Sequence, residues 1–86
     1  MSARSGYAID PLSGMTIPNQ VLAALHDRLI AIEQASDTQQ VYLATEKAES
    51  FVEALEAVNA LSQADIFRIH QVIDTVAQAR TMVLLL

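Results

Sequence analysis

The side chains with chemistry to offer are two histidines, a few hydroxyls and one series of carboxylates. His70 and Asp74 stand four residues apart. On a helix that is about one turn, so both would face a single cation. Di-metal helical bundles instead place Glu-x-x-His on two helices beside further glutamates. No Glu-x-x-His occurs in this chain. Two histidines without a cysteine are also a thin ligand set for zinc. His26 and His70 each border an apolar stretch, where a partly buried imidazole bonded to a neighbour is the simpler expectation. We therefore expect no metal and no cofactor.

Catalytic machinery is equally hard to find. There is no glycine-rich phosphate loop and no G-x-S-x-G elbow, and both glycines, Gly6 and Gly14, precede the helical region. Ser36, Ser50 and Ser62 fall where helix caps or surface hydroxyls are expected. With nucleophile, base and oxyanion donors all unidentified, the expectation is a protein that is not an enzyme.

The carboxylates are more ordered. Glu46, Glu49, Glu53 and Glu56 recur at steps of three, four and three, which makes one acidic ridge on a helix. Like charges one turn apart cost a few tenths of a kcal/mol each, and only Lys47 lies nearby. The plain reading is a solvated face that maintains solubility. The sharper one is a surface for a basic partner, in the manner of an inhibitor or antitoxin that imitates phosphates.

These residues need helices to hold them. From Gln39 to Val83 the apolar positions keep a helical period, with a break near Ser62. Val41, Ala44, Ala48, Phe51, Leu55 and Val58 make the stripe before the break. Ile66, Ile69, Ile73, Val76 and Val83 continue it afterwards, with Arg80 in the remaining slot. Ser62 has cap spacing to Asp65, and Leu61 and Ile66 have hydrophobic-staple spacing. A new helix thus begins at Gln63 directly after the previous one, and so short a connection predicts antiparallel neighbours. Phe51 and Phe67 sit at similar distances from the turn and are expected in one layer.

Two further starts are legible. Pro18 suits the first turn of a helix, with Thr16 or Asn19 as cap and Leu22, Leu25, Leu29 and Ile32 as its stripe. Asp37 with Gln40 three residues on has capping-box spacing. Residues 1–16 are punctuated by Gly6, Pro11, Ser13 and Gly14 and read as an irregular arm, with Tyr7, Ile9, Leu12, Met15 and Ile17 available to lie on a helical surface. Residues 17–86 form the helical domain, with helices over about 18–35, 38–60 and 63–84. Arg80 falls on the apolar stripe, where its stem snorkels and its charge suits the end of its own helix.

Composition bounds the function. A chain of 86 residues makes one domain with a small core. The five basic residues, Arg4, Arg28, Lys47, Arg68 and Arg80, are scattered and the formal net charge is -5, which disfavours direct nucleic-acid binding. No run of 18 apolar residues predicts a membrane span. Ser5-Gly6-Tyr7 and Asp10-Pro11 interrupt a signal-peptide pattern, so a cytoplasmic location is the default expectation. Apolar residues reach 52% while charged ones are only 17%, so a lone bundle has few polar groups with which to cover itself. Burial against a second copy resolves this most simply.

The sequence therefore predicts an all-α three-helix bundle built on an antiparallel helical hairpin and dimerised. The expected dimer surface is Leu22, Leu25, Leu29, Ile69, Val72, Val76 and Val83. The expected function is a non-catalytic interaction or regulatory role, with the protein itself and one unidentified protein as partners. The alternative is the acidic inhibitor acting through Glu46, Glu49, Glu53 and Glu56.

Overall fold

The computed structural model describes Leu12 and residues 14–86. They form an all-α bundle of three helices, α1 (Asn19–Glu33), α2 (Thr38–Ala57) and α3 (Gln63–Leu85), with no strand among the described residues. α3 packs most extensively on α2, and α1 lies against both. The core is aliphatic. Leu25, Leu29 and Ile32 come from α1, Val41, Ala48 and Val52 from α2, and Ile66, Ile69 and Ile73 from α3. No polar or charged residue is buried among the described residues, so no side chain in this core needs a polar partner.

The helix starts are set by local chemistry. Asp37 Oδ1 accepts the Gln40 backbone N–H at 2.8 Å, and Gln40 Oε1 reaches back to accept from the Ser36 N–H at 3.0 Å. This is the reciprocal pattern of a capping box, displaced by one residue on the return bond. Ser62 Oγ accepts from the Asp65 N–H at 3.1 Å, with Asp65 in the first turn of α3. Each cap satisfies a donor that the helix itself leaves open, worth about 1 kcal/mol. Leu61 packs against the core and Ile66 is part of it, as staple spacing requires.

α1 begins differently from the expectation. Pro18 occupies the cap position, and neither Thr16 nor Asn19 caps the helix with its side chain. Pro18 contributes its carbonyl, which accepts from the Leu22 N–H at 2.9 Å, and Asn19 is already inside the first turn.

The end of α2 also differs. The helix stops at Ala57 rather than continuing to Ala60. Asn59 takes a left-handed conformation, with φ 55°. The Ala60 N–H then bonds Leu55 O at 2.9 Å, and the Asn59 N–H bonds Glu56 O at 3.0 Å. These two bonds define a Schellman motif, which closes off carbonyls that an ended helix would leave unpaired. Asparagine takes the position usually held by glycine because its short polar side chain tolerates left-handed backbone. Val58, expected on the apolar stripe, consequently points to solvent at 71% exposure.

The buried face of α2 is rotated from the expected stripe. Val52 is fully buried, whereas Phe51 is only half-buried and carries the Arg28 guanidinium over its ring at 4.2 Å. α2 serves two neighbours, so its deepest line lies between them, along Val41, Ala48 and Val52. Phe51 and Phe67 do not share a core layer, because Phe67 is 65% exposed. The apolar residues before α1 do contribute. Leu12 is buried in the core, and Met15 and Ile17 pack against it, while Tyr7 and Ile9 lie outside the described residues.

Arg80 joins the elements at the far end of the bundle. Its Nε donates to Ala35 O at 2.9 Å, across 45 residues of chain. The charge therefore serves the C-terminal end of α1, not that of its own helix.

Candidate interaction surface

Three helices in a bundle leave three grooves, and each here has its own chemistry. Between α1 and α3 the surface is apolar. Val76, Ala79 and Val83 of α3 face Glu33 of α1 across a shallow groove that Arg80 also lines. Ile30, one turn before Glu33, is exposed, and so are Met82, Val83, Leu85 and Leu86 towards the end of α3. Helical spacing explains the continuity. Ile30 and Glu33 share a flank of α1, as Val76, Ala79 and Val83 share a flank of α3.

The residues expected to form a dimer surface divide between inside and outside. Leu25, Leu29 and Ile69 lie in the chain's own core at 1%, 6% and 1% exposure, so they face no second molecule in this fold. The strongest apolar line of an amphipathic helix is the one its own bundle consumes first. Leu22, Val72 and Val76 are half-buried flanking positions, and Val83 is open. The stripe pattern missed Ile30 because it stands beside the main line. The signal was present in Leu29-Ile30, two large apolar neighbours of which only one can occupy the centre of a helical face.

The acidic ridge runs along the outer side of α2, from the rim of the α1–α2 groove at Glu46 to the α3 side at Glu49. Glu46, Glu53 and Glu56 are exposed, whereas Glu49 is half-buried and meets Nδ1 of His70. The ridge thus offers three free-standing carboxylates and one engaged with α3. His70 is bonded to its neighbour across the helix pair. His26 is half-buried. Among the described residues no group of three His, Asp or Glu side chains is placed to hold a metal ion. Ser62 and Ser36 contribute to caps, through Oγ and backbone N–H respectively, and Ser50 lies on the α1–α2 side.

Between α1 and α2 two concavities adjoin and share Arg28, Leu43 and Lys47. No helix among the described residues is long and apolar enough to cross a membrane.

Neither a family model nor a curated protein nor a solved structure matches this chain, so its surfaces are interpreted from their own chemistry.

Proposed function

We propose that this is a non-catalytic interaction protein that works as a homodimer through the α1–α3 face. One observation carries the reading: Val83 is exposed on the groove beside half-buried Val76, and Ile30 is exposed one turn before Glu33 on the opposite wall, on a chain with few charged residues to screen them. Glu33 and Arg80 line the same groove with opposite charges. A two-fold interface presents the same patch from both sides, so each Glu33 meets the Arg80 region of the other copy. Aliphatic burial supplies the affinity and the charges fix the register. The dimer is a platform for regulation by contact, with no reaction of its own.

The bundle that presents this face is proposed to rest on α2 and α3 as an antiparallel hairpin. Glu49 and His70 support this, since they meet while standing at similar distances from the connector at residues 58–62. Arg80, late in α3, reaches Ala35 just before α2 begins, as an antiparallel pair requires.

Sedimentation equilibrium tests the dimer. The wild type is expected at twice the 9.4 kDa of one chain at micromolar concentration. Val83→Asp places a carboxylate in the interface and should shift the species to a monomer with unchanged helicity. A wild type that stays monomeric to about 100 micromolar, where association is worth less than about 5.5 kcal/mol, would refute the reading.

The acidic-ridge alternative draws on the exposure of Glu46, Glu53 and Glu56. It predicts that charge reversal at Glu49 and Glu53 abolishes capture of a basic partner. Engagement of Glu49 by His70 makes it the second choice, because that carboxylate is already used within the fold.

A further inference from the structure

We propose that Arg80 selects a second copy of this chain at the α1–α3 face by dividing its guanidinium between two acceptors. Nε holds Ala35 O of its own chain, and the Nη groups take Glu33 of the other copy. The inference rests on the homodimer reading and adds the residue that determines its specificity.

The internal half is already made. Arg80 Nε donates to Ala35 O at 2.9 Å. A guanidinium is a rigid planar fork with five donors, and this bond uses one of them. Fixing Nε therefore also fixes where the Nη groups point. Arg80 lines the same shallow groove as Val76, Ala79, Val83 and Glu33.

The external half is missing from a single copy. Glu33 is exposed and has no ion-pair partner among the described residues, Arg80 included, although both line one groove. The Ala35 bond holds the guanidinium where it stands, off its own Glu33. A two-fold contact brings the Glu33 of each copy to the Arg80 of the other, so the pair forms twice. Val76 and Val83 of both copies then lie around it, and exclusion of water strengthens the attraction. A chain with another sequence on this face could bury the same aliphatic surface but would not complete both pairs, and the difference is specificity for self.

Arginine suits this role and lysine does not. Lysine concentrates its donors on one nitrogen, which Ala35 O and the second Glu33 would have to share. Arg80→Lys keeps the charge and removes the division of labour.

The test measures the dimer dissociation constant of the wild type, Glu33→Gln, Arg80→Lys and the double variant by sedimentation equilibrium, with circular dichroism to check the helices. Glu33→Gln should weaken association about tenfold, since each dimer loses two pairs. Arg80→Lys should weaken it by about the same factor. The double variant should fall within about threefold of either single one, because all three remove the same interaction. Urea unfolding of Val83→Asp, the monomeric form, separates this from a role within one chain. There Glu33→Gln should change stability equally with or without Arg80→Lys. Additive losses in the dimer, a Glu33→Gln or Arg80→Lys chain that associates like the wild type, or equal coupling in the monomer would each overturn the proposal and leave the dimer standing. A monomeric wild type would overturn both. Glu33→Gln alone remains decisive should Arg80→Lys lose its helices.

Discussion

Replacing Arg80 with methionine isolates one bond that ties the bundle together. Methionine keeps most of the apolar stem and removes both the charge and the donor. Ala35 O would then lose its 2.9 Å partner at a residue only 4% exposed. A hydrogen bond to a charged group contributes about 1.5–3 kcal/mol. The lower part of that range applies, because Arg80 itself is only half-buried. Loss of a cation at the C-terminal end of α1 adds a few tenths of a kcal/mol. The sum is about 2 kcal/mol, against a total stability of about 4–13 kcal/mol for a domain this size. With a slope of about 1 kcal/mol per molar urea, the unfolding midpoint should fall by about 2 M. The melting temperature should fall by about 10 °C. Urea titration followed by circular dichroism gives the answer, at one fixed protein concentration because association would add to stability. Lys47→Met is the control, an exposed site where a change within about 0.5 kcal/mol is expected. An Arg80→Met variant as stable as that control would show that the contact between α3 and the end of α1 contributes nothing, and the reasoning would fail.

Other substitutions probe the remaining elements. Asn59→Val forces a β-branched residue into left-handed backbone and should destabilise by about 1–2 kcal/mol, whereas Asn59→Gly should be neutral or better, both measured by urea titration. Ile73→Ala removes a fully buried side chain and should cost about 2–5 kcal/mol, while Phe67→Ala, at an exposed aromatic, should cost under about 1 kcal/mol. Equal losses at Ile73 and Phe67 would show that the core is misplaced.

Much of the fold could be read from the chain because it is written in local interactions. Asp37 and Ser62 mark helix starts through bonds to residues three positions on, so spacing alone revealed them. The all-α class followed from a helical period that never yields to alternation. What escaped depends on distant partners. Phe51 and Val52 fit the α2 period about equally well, and only the position of α2 between two neighbours decides that Val52 goes inside. Arg80 serves α1 because chain topology brings residue 35 beside it, a fact no window of sequence contains. The end of α2 was legible in principle, since Asn59 is a residue that accepts left-handed backbone, but without a glycine the signal is weak. The same logic governs the surface residues. Leu25, Leu29 and Ile69 have the pattern of an interface, yet a core and an interface share one pattern, and the three-dimensional fold assigns them to the core. Ile30 and Val83 are left outside, and the proposed dimer rests on them.

Isotope-filtered NMR on an equal mixture of carbon-13-labelled and unlabelled chains tests that dimer most directly, without altering a single residue. The account predicts intermolecular cross-peaks linking the methyl groups of Ile30, Val76 and Val83 in one copy to the same face of the other. Their absence at millimolar concentration, or cross-peaks only from Leu43 and the α1–α2 groove, would contradict it.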